Sequence, residues 1–101
     1  MNTRTLIVHT PEKSHMVTVP ARYARSVAVM LPTDSTNVKA IRYVRSSESL
    51  FILFKQGAIY RYGNVPANIY HAMLKAESIG SFFHHNVRMS YEYENITECE
   101  R

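Results

Sequence analysis

Two tyrosines with an arginine between them, Tyr60-Arg61-Tyr62, form the pattern in this 101-residue chain that most clearly suggests chemistry. Side chains two positions apart on a β-strand point to the same face, so both tyrosines are expected on one face. Such a face is either a wall of the core or a platform on which a planar ligand stacks beside an arginine-bound phosphate. The residues predicted on this basis to bind a ligand are Tyr43, Lys55, Tyr60, Arg61, Tyr62, His85 and Arg88.

The charge of the chain is unevenly distributed. Residues 1–91 hold 11 lysines and arginines against 4 acids, a net charge of +7, whereas residues 92–101 hold four glutamates against Arg101. A basic body attracts phosphates by simple electrostatics. The acidic end either shields that surface or is a solvated tail, and the same balance of charge also fits a purely solubilising role.

Residues that would carry catalysis or bind a metal form no recognisable motif. The five histidines contain no H-x-x-x-H pair, and the adjacent His84 and His85 would diverge by about 100° on a helix. No Gly-x-Ser-x-Gly motif is present. The sequence therefore predicts no catalytic residue, no metal and no cofactor. A metal-free nuclease or hydrolase that uses His84 or His85 stays open.

Cysteine usage and hydropathy bear on the compartment. Cys99 is the single cysteine, so an internal disulfide is impossible and a reducing compartment is favoured. No apolar run approaches the ~20 residues of a membrane helix. We expect a cytoplasmic protein.

The hydrophobic pattern predicts one domain in which strands are followed by two helices. Pro66 is expected to begin the first helix and Ser78 to cap the second, because proline suits the first helical position and serine accepts from free amides. Strands are predicted at residues 5–9, 15–19, 26–31, 38–45, 50–55, 58–62 and 91–93. The predicted fold class is α+β, an antiparallel β-sheet with an N-terminal strand extension and two short helices of the C-terminal half packed on one face.

Four groups of residues occur in an order that identifies a family. They are Ser35-Thr36-Asn37-Val38 with Ile41 and Tyr43; Leu50, Ile52 and Phe54 with Gly57 and Tyr60-Arg61-Tyr62; Val65-Pro66 with Tyr70 and Leu74; and Gly80, Phe83, Val87 and Arg88. This ordered set resembles the KTSC domain, which is found at the C-terminal end of some lysyl-tRNA synthetases and alone in bacterial and phage proteins. The resemblance implies a small α+β domain at residues 35–93, between an N-terminal β extension (1–34) and an acidic tail (94–101). An RNA-binding role has been suggested for the family.

The turn between the two central strands determines which side chains share a face. A two-residue turn at residues 56–57 would pair Leu53 with Tyr60 and Phe51 with Tyr62. Both tyrosines would then share a face with Phe51 and Leu53, opposite the helices. Four such side chains exposed together would form a large apolar patch. We expect this patch to be covered by the N-terminal extension, by a second subunit in a homodimer or larger homo-oligomer, or by a ligand.

The sequence thus predicts a small non-enzymatic binding module for nucleic acid or a nucleotide. Tyr60 and Tyr62 would stack on the ligand, while Arg61, Arg88 and Lys55 would contact phosphate. Arg61 is expected on the side opposite the tyrosines. The alternative is a protein-interaction module, including a phage-encoded inhibitor or sequestering protein that acts on a host defence component.

Overall fold

The computed structural model describes residues 2–97, which form two antiparallel β-sheets and three α-helices and confirm the predicted α+β class. The elements in chain order are β1 (Thr3–His9), β2 (Ser14–Pro20), α1 (Ala21–Ala28), β3 (Leu31–Pro32), β4 (Val38–Val44), β5 (Ser49–Phe54), β6 (Ile59–Tyr62), α2 (Ala67–Lys75), α3 (Ile79–Asn86) and β7 (Tyr93–Asn95). One turn of 3-10 helix (Arg45–Ser47) joins β4 to β5. Residues 98–101 of the predicted acidic tail lie outside the described residues.

The five-stranded sheet, in the order β3-β4-β5-β6-β7, lies between two layers. Helices α2 and α3 pack on one face, and the N-terminal unit (β1, β2 and α1) packs on the other. Strand β5 is buried on both faces, since Leu50 and Ile52 point toward the helices and Phe51 and Leu53 toward the N-terminal unit. Burial on both faces explains why this strand is apolar at every position from Leu50 to Phe54 rather than at alternate ones.

The N-terminal unit differs from its prediction in two respects. The predicted hairpin is confirmed, but it forms its own two-stranded sheet rather than extending the larger one. The strand predicted at residues 26–31 is wrong, because α1 runs through Ala28. Tyr23, Ala24 and Val27 are spaced to lie on one side of a helix. All three pack in the hydrophobic core between the N-terminal unit and the five-stranded sheet.

The register between β5 and β6 also differs from the prediction. The connecting loop has three residues, 55–57, because the Phe54 amide donates to the Ala58 carbonyl at 2.9 Å. Gly57 adopts φ +98°, as the last residue of such a loop requires. Ile52 therefore pairs with Tyr60, and Leu53 pairs with Ile59. A shift of one residue reverses every side chain of a strand, which makes the predicted faces of β6 wrong.

The consequence for β6 is that Tyr60 and Tyr62 lie on the helix side, whereas Ile59 and Arg61 lie on the N-terminal side. Arg61 lies on the side opposite the tyrosines, as predicted. The tyrosines, however, face the helices and Arg61 faces the N-terminal unit, which is the reverse of the prediction. Its guanidinium forms an ion pair with Glu94 at 3.3 Å. The Glu94 carboxylate also accepts from the Tyr23 hydroxyl at 3.0 Å, which connects α1 to the edge of the sheet.

The face that carries Phe51 and Leu53 is covered by the N-terminal unit, which confirms one of the three expected covers. The ring of Tyr23 meets that of Phe51 edge-on at 5.5 Å between centroids. Lys39 on β4 forms an ion pair with Glu12 in the β1–β2 turn at 3.1 Å. The homo-oligomer stays a prediction, but this face no longer gives a reason for it.

Among residues 2–97, no helix has both the length and the apolar character that crossing a membrane would need.

Replacing Gly57 by alanine is expected to lower the free energy of unfolding by about 1–2 kcal/mol, because an L side chain is strained at φ +98°. No atom lies within 4 Å of the added Cβ, so a steric clash does not contribute. Urea unfolding followed by circular dichroism measures the change. Gly63→Ala is the matched control, since its φ is not in the left-handed region and its Cβ would meet Arg61 at an ordinary 3.8 Å. Equal losses in both variants would contradict this account of the loop.

Candidate functional site

A cavity of about 690 Å³, here called the aromatic cavity, opens on the helix side of the sheet where β6 and β7 approach α3. Its aromatic walls are Phe54, Tyr60, Tyr62, Phe83 and Tyr93. The strand pairing positions three of these rings, because Tyr62 lies directly opposite Tyr93 across β6 and β7, and Tyr60 follows on the same face.

The rings form one connected cluster with an inner and an outer part. Tyr60 stacks on Tyr93 with 4.9 Å between centroids and 5° between the ring planes. Tyr62 lies 5.4 Å from Tyr93 and meets Phe83 edge-on at 5.3 Å. Tyr62 is 2% exposed, whereas Tyr93 is 57% exposed. The stack is therefore anchored in the core at one end and open to solvent at the other.

Burial raises the pKa of Tyr62 to about 12, and the nearby Tyr93 and Tyr60 add to this shift while Arg88 opposes it. The Tyr62 phenol is consequently neutral over the physiological range. It lines the cavity with its proton in place, and a neutral phenol can donate to a ligand as well as accept from it.

Two basic side chains line the aromatic cavity, beside the neutral amides of Asn37 and Gln56 and the tyrosine hydroxyls. Arg88 and His84 both line it, and Arg88 Nη1 lies 3.5 Å from His84 Nδ1. Both side chains are exposed. His84 lies in the last turn of α3, and Arg88 lies four residues later, just beyond the end of the helix. None of the described residues that line this cavity is acidic. A negatively charged group would thus meet an arginine without competition from a carboxylate on the wall.

A second cavity of about 640 Å³, here called the polar cavity, lies at the start of α3. It shares Asn37, Gly80 and His84 with the aromatic cavity. The predicted cap of this helix is confirmed, because the Ser78 hydroxyl accepts from the Ser81 amide at 3.1 Å. Within residues 2–97 no three His, Cys, Asp or Glu side chains are grouped as a metal site would need.

Three of the predicted ligand-binding residues come together in the aromatic cavity: Tyr60, Tyr62 and Arg88. His85 lies in the polar cavity instead, with Nδ1 2.9 Å from the Ser81 carbonyl oxygen. Arg61 lies on the opposite face of the sheet, in its ion pair with Glu94.

The other two predicted residues line neither cavity. Tyr43 stacks on Tyr70 with 4.7 Å between centroids, and its hydroxyl donates to the Val65 carbonyl at 2.6 Å. Burial is the main cause that raises the pKa of Tyr43. These contacts give Tyr43 a packing role. Lys55 lies exposed in the hairpin loop, where its backbone amide donates to the Asn37 carbonyl at 3.0 Å.

Sequence reasoning missed Tyr93 and His84 as ligand-binding candidates. The alternation of basic and aromatic residues between Arg88 and Tyr93 was a signal for Tyr93, but its place opposite Tyr62 depends on a pairing between strands thirty residues apart. The sequence pattern indicates His84 only as a candidate for catalysis. Its place beside Arg88 follows from their four-residue spacing across the C-terminal end of α3.

The sheet, the two helices on one face and the cavity beside them define a small α+β domain. A family model described as the KTSC domain matches residues 34–91, more than half of the chain. The chain belongs to the KTSC domain family, as the resemblance had predicted.

Relatives in this family include parts of larger proteins. The chain is similar to the lysine–tRNA ligase of Nostoc sp., with 29% identity over 68 residues that make up 67% of this chain and 12% of the ligase. It therefore spans about an eighth of that relative. An uncharacterised protein from Stutzerimonas stutzeri is 34% identical over 50 residues, which are 50% of this chain and 70% of that protein. Among solved structures, a KTSC domain protein from Yersinia pestis matches with a TM-score of 0.64 and 25% identity, over 66% of this chain and 94% of that one.

The raised pKa of Tyr62 predicts a loss of stability in alkali. Because the pKa is higher in the folded state, the contribution of Tyr62 is complete below about pH 10 and is lost as the pH rises toward about 12. Wild type is therefore expected to lose more free energy of unfolding over this window than Tyr62→Phe, which cannot ionise. Urea unfolding at several pH values, with tyrosinate absorbance of the folded protein, measures both quantities. Parallel stability curves for the two proteins would contradict the prediction.

Proposed function

We propose that the aromatic cavity binds a nucleobase of a free nucleotide or of single-stranded nucleic acid, without converting it chemically. The observation that carries the proposal is the parallel stack of Tyr60 and Tyr93, whose outer ring is 57% exposed beside Arg88. Bases stack on such exposed rings regardless of sequence, and each stacked base contributes about 1–3 kcal/mol. A cavity of about 690 Å³ is also within the range of ligand pockets.

The charges of the site support a phosphate beside the base. Arg88 offers a planar set of donors, and the His84 ring lies beside it, with Nδ1 3.5 Å from Arg88 Nη1. The net charge of +7 over residues 1–91 would draw a polyanion toward the domain. The similar lysine–tRNA ligases act on an RNA, which supports nucleic acid as one source of the base.

Binding without catalysis is supported by the surroundings of the two histidines. The Nδ1 atom of His85 lies against the Ser81 carbonyl, and within residues 2–97 no carboxylate is hydrogen-bonded to His84, whose Nδ1 lies 3.5 Å from Arg88 Nη1. The neighbour of His84 is instead a cation, Arg88, which suits an anion-binding role.

The proposal is tested by titrating the protein with short single-stranded RNA and DNA and with mono- and cyclic nucleotides over a series of salt concentrations. Binding with a linear fall of log affinity against log salt is expected, because phosphate contacts release counterions. If none of these ligands binds at low salt, the proposal is wrong.

The alternative is a protein-interaction module that uses the same rim. Met89 is 84% exposed at the edge of the aromatic cavity, close to the exposed Tyr93, and both residue types are enriched at protein interfaces. The salt series separates the two proposals, since a docking surface for a protein would leave every nucleic-acid ligand unbound.

Replacing Tyr93 by alanine is expected to weaken nucleotide binding by about 1–3 kcal/mol, roughly 5- to 150-fold in Kd, because the outer stacking ring is removed. Tyr93→Phe keeps the ring and is expected to bind almost as wild type does. Since Tyr93 is largely exposed, both variants should fold, which circular dichroism checks. Equal affinity of Tyr93→Ala and wild type would show that the base does not stack here.

Replacing Arg88 by glutamine is expected to lower the slope of log affinity against log salt by about one, because one phosphate contact is lost. Arg25→Gln is the matched control, since Arg25 is exposed on α1, in the layer on the other side of the sheet. It removes the same charge and should leave the slope nearly unchanged. If both substitutions change the slope equally, only the overall charge matters and Arg88 does not contact phosphate.

A further inference from the structure

We propose that the polar cavity binds the hydroxyl groups of the ligand's sugar, so that the site prefers ribonucleotides to deoxyribonucleotides. This inference rests on the proposed function, since it concerns the sugar of a nucleotide whose base occupies the aromatic cavity. Three residues, Asn37, Gly80 and His84, lie on the walls of both cavities. A ligand that fills one cavity is therefore in direct reach of the other.

The two cavities differ in chemistry, and the parts of a nucleotide differ from one another in a matching way. The carboxylates of Asp34 and Glu77 line the polar cavity, together with several serine hydroxyls. Carboxylates accept hydrogen bonds from sugar hydroxyls and repel phosphates. The phosphate consequently belongs with Arg88 in the aromatic cavity, which has no acidic residue among its described walls. The part of a nucleotide that matches the polar cavity is the ribose.

The two carboxylates are available for a ligand. Within residues 2–97 neither Asp34 nor Glu77 takes part in a salt bridge or a side-chain hydrogen bond, and both side chains are exposed at the cavity mouth. Their positions come from separate elements, the loop before β4 and the loop between α2 and α3. Recognition of a ribose hydroxyl by an acidic side chain is a common device in nucleotide sites of other folds.

Gly80 allows the loop before β4 to approach α3 closely. A Cβ at position 80 would lie 2.6 Å from the Ser35 hydroxyl oxygen, so a larger residue would force this hydroxyl out of its place. The Ser35 hydroxyl in turn accepts from the Val38 amide at 3.2 Å, which fixes the loop at the start of the strand. This close approach holds Asp34 on the same cavity as Glu77 and His84.

The test compares a ribonucleoside monophosphate with its 2′-deoxy counterpart, and a short RNA with the DNA of the same sequence, on the full chain. Wild type is expected to bind the ribo form about tenfold more tightly, as a hydrogen bond to a charged group would give. The double variant Asp34→Ala, Glu77→Ala is expected to lose this preference, because only the ribo form loses hydrogen bonds to the carboxylates, whereas the removal of their charge affects both forms alike. Glu92→Ala is the control, since it removes an acid that lines neither cavity and should keep the preference.

The outcomes distinguish this inference from the proposed function. Equal affinity of wild type for the ribo and deoxy forms, with Tyr93→Ala still weakening both, overturns the ribose site and leaves base stacking in place. A preference that survives in the double variant shows that ribose is recognised elsewhere and also overturns the inference. No binding of either form overturns the proposed function and this inference with it.

Discussion

The three-residue loop after β5 is the constraint on which the rest of the structure depends. The loop begins at Lys55, one residue earlier than a two-residue turn at residues 56–57 would, and ends at Gly57 with φ +98°. The pairing of every residue between β5 and β6 follows from this length. In this register Tyr60 and Tyr62 point toward α3, while Ile59 and Arg61 point toward the N-terminal unit. Neither the aromatic cavity nor the contact between Arg61 and Glu94 could exist in the other register.

This register also bears on the two alternatives for the tyrosine pair, a core wall and a stacking platform. Tyr62 is fully buried against Phe83 and belongs to the core, whereas Tyr60 continues outward into a stack with the exposed Tyr93. Tyr62 is therefore a wall of the core, and the stacking of a ligand on the outer rings stays a proposal. A packed neighbour already restricts the rotamers of a stacking ring. The ring therefore loses less conformational entropy when a ligand binds.

Much of the fold could be predicted because local signals agree with the final packing. Pro66 and Ser78 lie directly before the first residues of α2 and α3, β-branched runs form β1, β2 and β4, and an apolar run forms β5. The errors arise where a local pattern fits two structures. The apolar run at residues 26–31 suits a strand, but the spacing of Tyr23, Ala24 and Val27 places α1 over the core. A glycine at position 57 fits a loop of two or of three residues, and sequence alone does not choose between them.

The candidate site was harder to predict than the fold because it depends on pairings between distant parts of the chain. Tyr60 and Arg88 were recognisable by type, but Tyr93 joins them only through the pairing of β6 with β7, and Asp34 shares a cavity with Glu77 because the loop before β4 lies close to Gly80 on α3. The strand register and the close approach of a loop to a helix set such juxtapositions. Neither can be read from the local composition or spacing of the sequence.

Arg61 shows how a residue can matter to a site that it does not touch. Tyr93 and Glu94 are neighbours on β7 and point to opposite faces of the sheet. Glu94 is held by Arg61 at 3.3 Å and by the Tyr23 hydroxyl at 3.0 Å. An exposed ion pair alone contributes little, but a carboxylate oxygen shared by two partners from different elements restricts a three-residue edge strand more than either partner would. The arginine of the Tyr-Arg-Tyr strand thus acts on the face of the sheet opposite the aromatic cavity. Its ion pair with Glu94 restrains β7, the strand that presents Tyr93 to that cavity.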